Sequence, residues 1–206
     1  MTNLIVEISK YLMILLMAVY VFTFPKYQAG QVMTVFFGLV YVAVMLSYIY
    51  RTRTMDGGKL LVWLVFLSSW GCDTCAYCAG MLFGKHKMAP KLSPKKSVEG
   101  GIGGIVGAGL LGVIYGAVFQ KGLGSALGSP ILDCAVICMV GAVISQIGDL
   151  AASAIKRNHD VKDYGKLIPG HGGILDRFDS VIFVAPGIYY TIVLLTEGIS
   201  ALQRFL

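Results

Sequence analysis

The sequence predicts an all-α, polytopic integral membrane protein of about six transmembrane helices, with a polar site on the cytoplasmic side. Three observations carry this. Of 206 residues, 56% are hydrophobic and only 14% are charged, and the mean hydropathy is +0.75, too apolar for a soluble core. Apolar runs of about 20 residues, the length that crosses a bilayer, recur along the chain. The charges crowd into a few short stretches, above all residues 145–179, SQIGDLAASAIKRNHDVKDYGKLIPGHGGILDRFD. Charge placed so close to apolar spans is costly and marks function.

Residues 4–24 form the first expected span, ended by Pro25 and Lys26, and residues 31–50 the second, ended by Arg51 and Arg53. The first run carries Glu7 and Lys10 and lacks a small-residue cleavage site, so it is expected to stay as a helix rather than be removed. Residues 60–83 form a third span that differs in carrying Asp73 among Trp70, Thr74 and Tyr77. An acid at that depth needs a partner, a cavity or a cation. The basic loop 84–100 contains Pro90 and Pro94, which prevent one continuous helix. Residues 101–119 are glycine-rich, with Gly103 four before Gly107 and Gly112 four before Gly116, a spacing that lets helices approach closely within a subunit or across a homodimer. After a short turn at 120–129, residues 131–156 form the fifth span, whose last turns carry Gln146, Asp149, Ser153 and Lys156. The sixth runs over 176–199, after a polar loop broken by Gly165, Pro169, Gly170, Gly172 and Gly173. Residues 1–59 are read as an N-terminal transmembrane segment and 60–206 as the catalytic transmembrane domain.

The net charge of +6 does not indicate nucleic acid, because the basic residues lie in short loops between apolar runs, where they set topology and meet anionic lipid. The two strongly basic loops, 84–100 and 157–173, are expected on the cytoplasmic face. Arg51, Arg53 and Lys59 then face outward, against the usual bias. Cys72, Cys75, Cys78, Cys134 and Cys138 all lie in apolar segments. The C-x-x-C-x-x-C run raises an iron–sulfur or zinc site, but it has no fourth ligand at familiar spacing and is read as small residues in a packed helix.

The chemistry concentrates in the fifth and sixth spans. Asp149, Ser153 and Lys156 stand at i, i+4 and i+7 and share one helix face, while Asp176 and Asp179 stand at i and i+3 at the start of the next helix. Carboxylates from two helices suit a hard divalent cation such as Mg²⁺, and Lys156, Arg157, Lys162, Lys166 and Arg177 around them suit phosphate. Helix-end ion pairing and the helix dipole would account for Asp176 and Asp179 singly. They do not account for Asp149 inside a span, or for a rigid P-G-H-G-G turn before the acids.

Residues 153–179, S-x-x-K-R-x-x-x-x-K-D-x-x-x-x-I-P-G-H-G-G-x-L-D-R-x-D, resemble the signature of the phosphatidate cytidylyltransferases, or CDP-diacylglycerol synthases. Residues 70–100, containing D-T-x-A-Y-x-x-G-x-x-F-G-K-H-K-x-A-P-x-x-S-P-K-K-S-x-E-G, resemble the same family in the expected order and spacing, and the likeness covers about residues 60–200. The resemblance implies a bacterial inner-membrane nucleotidyltransferase of phospholipid biosynthesis that condenses CTP with phosphatidic acid, releasing pyrophosphate and CDP-diacylglycerol at the cytoplasmic face. It implies Mg²⁺, with K⁺ as a second cation. It makes Asp149, Asp176 and Asp179 metal ligands, with Lys156 and Arg177 completing the catalytic set. Asp73, Lys95, Lys96, Ser153, Arg157, Lys162 and His171 would bind nucleotide or cofactor. The region before the first motif is short relative to this family. Two other readings remain open: a CTP-dependent enzyme acting on an isoprenoid lipid, and a cation transporter using Asp73, Asp149 and Asp176.

Overall fold

In a computed structural model, which describes residues 2–165, 167 and 172–198, the chain is helical apart from one small hairpin. Helix α1 is Thr2–Phe22, α2 is Ala29–Arg53 and α3 is Gly58–Phe83. Strands β1, Lys87–Ala89, and β2, Ser93–Ser97, pair antiparallel. Helices α4, Val98–Val118, α5, Gln120–Leu123, α6, Pro130–Asn158, and α7, Leu175–Glu197, follow. Among the described residues five helices, α2, α3, α4, α6 and α7, are long and apolar enough to cross a membrane, and the protein is an integral membrane protein. The first expected span is present as α1, which is not among those five and carries an exposed Lys10–Glu7 ion pair at 2.7 Å.

The chain divides into two compact units, Met1–Ser47 and Tyr48–Leu206. In the second, Arg51 lies over the rings of Tyr48 and Tyr189, 4.7 and 4.3 Å from their centroids, and donates to the Tyr189 hydroxyl at 3.0 Å. The last turns of α2 thereby join α7. A guanidinium in an apolar setting is favoured by ring faces that supply negative potential without a second buried charge.

The glycines of α4 make the centre of this unit. A Cβ at Gly112 would stand 2.5 Å from the carbonyl oxygen of Cys134 on α6, and one at Gly107 would stand 2.5 Å from the sulfur of Cys75 on α3. Gly104 faces Cys72 in the same way. The small-residue spacing therefore serves contacts within the subunit, with α3 on one side and α6 on the other. Cys72, Cys134 and Cys138 are buried while Cys78 is exposed, the pattern of small packing residues rather than of a cluster. The opposite face of α4, with Ile102, Val106, Leu110, Ile114 and Val118 exposed at four-residue steps, is apolar surface suited to lipid.

One irregularity positions the site. Within α3, Leu67–Gly71 is π-helical, a widened turn that amounts to one inserted residue. The Ser68 hydroxyl donates to the Leu64 carbonyl there, and the buried Ser69 hydroxyl shares a 2.7 Å hydrogen bond with Ser180 of α7. Cys72 and Asp73 follow directly. The hairpin then carries the basic motif back over the bundle, and Ser97 caps α4 by accepting the Gly100 N–H at 3.1 Å.

Candidate active site

The end of α6 and the start of α7 meet through charge. Lys156 Nζ donates to Asp176 Oδ1 at 3.0 Å and stands 3.4 Å from Asp179 Oδ2. Asp176 is also gripped by the loop before it. The Tyr164 and Gly173 N–H groups each donate to Asp176 Oδ2 at 2.9 Å. Gly172 between them has φ 82°, a backbone region that strains any residue with a Cβ. Tyr164 further ties the loop to α6: its hydroxyl donates to the Ala152 carbonyl at 3.3 Å, and its ring lies 5.1 Å from Lys156 Nζ. Burial raises the Tyr164 phenol above its ordinary pKa, Lys156 opposes that rise, and Asp179 and Asp176 reinforce it. Asp179 is 6% exposed and accepts the Ser180 N–H at 2.8 Å.

Asp149, two turns before Lys156 on α6, forms an ion pair with Lys96 of β2. Asp73 on α3 lines the same cavity as Lys96 and Asp149, so acids from two helices share one recess with a lysine of the hairpin. The cavity, of about 440 Å³, is lined by Asp73, Tyr77, Met88, Lys95, Gln146 and Asp149, with Lys96 and Gly101 at its wall. Gln146 donates through Nε2 to the Gly101 carbonyl at 3.0 Å and toward Cys72 Sγ at 3.7 Å. The hairpin roof is clasped at its base by Glu99, which accepts the Lys85 N–H at 3.1 Å and the His86 N–H at 3.2 Å and pairs with His86 Nδ1 at 2.6 Å.

Asp73, Lys95, Lys96 and Asp149 thus come together at the cavity, with Lys156, Asp176 and Asp179 in a second cluster next to it. Ser153 stands one turn beyond Asp149 and is half-buried. Arg157 is exposed and donates to the Val161 carbonyl at 3.1 Å, closing the end of α6. Lys162 is exposed. Arg177 is exposed, and its carbonyl accepts the Trp70 indole N–H at 3.3 Å. His171 and Lys166 lie outside the described residues. Among the described residues no three His, Cys, Asp or Glu side chains gather closely enough to enclose a metal ion. Asp149 faces the ammonium of Lys96, and Asp176 and Asp179 face that of Lys156.

Sequence reasoning assigned no role to Tyr164, Met88, Gln146 or the His86–Glu99 clasp. Ser97 just before the glycine-rich run, with Glu99 in the first turn after it, is a helix-start signal that flags the cap of α4. Nothing in the spacing joins Glu99 to His86 across the hairpin.

The chain matches the model of the cytidylyltransferase family over residues 1–195. It is 36% identical over 189 residues to the phosphatidate cytidylyltransferase of Bacillus subtilis (strain 168), covering 91% of this chain and 68% of that protein. It is 34% identical over 148 residues to the phosphatidate cytidylyltransferase of Staphylococcus saprophyticus, covering 72% and 54%. With that of Rickettsia typhi it shares 34% identity over 149 residues, covering 72% and 65%. The chain therefore spans between about half and two thirds of the length of these relatives.

Proposed function

The chain belongs to the cytidylyltransferase family, and on that premise we propose that it is a phosphatidate cytidylyltransferase, a membrane transferase of phospholipid biosynthesis. It condenses CTP with phosphatidic acid to give CDP-diacylglycerol and pyrophosphate. The observation that carries this reading is the Lys96–Asp149 ion pair. It joins the basic hairpin motif to the acidic helix motif at the wall of one cavity, so that groups for phosphate and groups for a cation stand in the same place.

A phosphate monoester is largely dianionic near neutral pH, since its second pKa is about 6. The phosphatidic acid oxygen can therefore attack the α-phosphorus of CTP in line without a protein base. One P–O bond forms to the lipid phosphate, the α–β bridge breaks, and its electron pair leaves on pyrophosphate. The protein's part is positioning and charge. Lys95 and Lys96 meet the triphosphate from the hairpin, while Lys156 orders Asp176 and Asp179, and these lysines answer the charge that builds on the leaving group. The donors are all carboxylate oxygens, the chemistry a hard cation takes, and they stand in two clusters, Asp149 on Lys96 and Asp176 with Asp179 on Lys156. Asp149, Asp176 and Asp179 would hold Mg²⁺, which supplies charge neutralisation on phosphate oxygens when bound; K⁺ is the proposed second cation. Ser153, Arg157, Lys162, Arg177 and His171 are assigned supporting contacts to nucleotide, lipid phosphate or the loop.

The site faces the cytoplasm of a bacterial inner membrane in this reading, which lets a water-soluble nucleotide meet a lipid headgroup. Purified protein in lipid nanodiscs is expected to convert labelled CTP and phosphatidic acid to a labelled lipid in the presence of Mg²⁺ and not in EDTA. Absence of labelled lipid with Mg²⁺ present would count against the reading. Product formed only from a polyprenyl phosphate would favour the isoprenoid reading.

A further inference from the structure

The orientation of Gln146 is fixed by its neighbours. The Gly101 carbonyl can only accept, so the group 3.0 Å away must be the amide nitrogen, and the second amide hydrogen is directed toward Cys72 Sγ. Gln146 lines the cavity, and with its nitrogen turned to α4 and α3 the carbonyl oxygen is the polar atom it offers to a ligand. Among the described residues that oxygen accepts no hydrogen bond. A Cβ at Gly101 would stand 2.8 Å from it and would also collide with the Met88 methyl. Glycine at 101 therefore lets a bare acceptor and a polarisable thioether lie side by side against α4, one helical turn from Asp149.

We propose that Gln146 is a specificity-determining residue for the nucleobase: its Oε1 accepts a hydrogen bond from the 4-amino group of cytosine, with Met88 against the ring. The inference rests on the cytidylyltransferase reading and deepens it. Cytosine presents an amino donor where uracil presents a carbonyl. An oriented acceptor pairs with the first and is left opposing a second acceptor with the second. The anchoring of Nε2 on a backbone carbonyl prevents the amide from turning over to accommodate uracil. Discrimination of this kind comes from the desolvated group left unpaired by the wrong substrate.

The test compares kcat/KM for CTP, for UTP and for the triphosphate of the 2-pyrimidinone riboside, which is cytidine without its 4-amino group. Wild-type protein and Gln146→Met, both in nanodiscs with phosphatidic acid, are the two forms. Wild-type protein is expected to prefer CTP to the amino-less analogue by roughly tenfold or more, and Gln146→Met is expected to bring that ratio near one without changing KM for phosphatidic acid. The same CTP preference in Gln146→Met as in wild type overturns the proposal, as does a variant altered only in KM for the lipid. Should the variant not fold, equal use of CTP and the analogue by wild-type protein overturns it alone, whereas a wild-type preference that Gln146→Glu retains supports it. Failure of wild-type protein to make any lipid product from CTP fells the functional reading and this inference with it. Unselective turnover fells only the inference.

Discussion

At the scale of single residues, the site is built from pairs in which one charge restrains another. Asp149→Asn is expected to lower kcat/KM on the order of 10²-fold or more, the scale seen when one oriented electrostatic group is removed from a phosphate or oxyanion site. The variant should still insert in the membrane; near-normal turnover would refute the assignment. Lys156→Met releases Asp176 and Asp179 at once, leaving two unpaired acids beside each other, and is expected to lose activity and stability together. That outcome is read by parallel turnover and thermal-unfolding measurements. Tyr164→Phe is milder, because the N–H that holds Asp176 and the ring beside Lys156 both remain. It should cost about 1 kcal/mol of stability. A phenol raised above its ordinary pKa stays protonated through the neutral range, so the pH–rate profile should keep its shape. The helical spacing of Asp149 with Lys156, and of Asp176 with Asp179, was legible in the sequence because i+3 and i+7 steps fix one face. The partnership of Lys96 with Asp149 was not, since it depends on how a hairpin folds back over a distant helix.

At the scale of elements, the hairpin and the glycine helix carry different loads. Pro90 and Pro94 told that residues 84–100 leave the helix, but strands as short as Lys87–Ala89 and Ser93–Ser97 have too little alternation to declare their pairing. Glu99 is the clasp. Glu99→Gln weakens its hold on His86 and on the Lys85 and His86 N–H groups, and should raise KM for CTP several-fold by loosening Lys95 and Lys96. Faster amide exchange over residues 85–97 in the variant would accompany that change; unchanged exchange would separate the clasp from the hairpin. On α4, Gly112→Leu forces a side chain against the Cys134 backbone and should cost about 1–3 kcal/mol or more. Ile114→Leu, on the exposed face, should be close to neutral in the same unfolding assay.

At the scale of the whole molecule, five of the expected spans follow from length and apolar composition alone, which is why bilayer geometry made them readable. The cysteine run was readable as packing for the same reason: small residues on one helix need small residues on its neighbours, and Gly104 and Gly107 supply them. What periodicity alone could not reveal is the π-helical turn at Leu67–Gly71, because an inserted residue changes no composition. That turn sets a phase. Each residue advances an α-helix by about 100°, so the helix above the turn and the helix below it point their stripes in directions that a uniform helix could not reconcile. Removing one residue from 67–71 would leave a helix still long enough to cross the membrane, yet swing Asp73 about a quarter-turn away from Lys96 and Asp149. A protein so shortened should be present in the membrane in normal amount and catalytically silent, an error of angle rather than of chemistry.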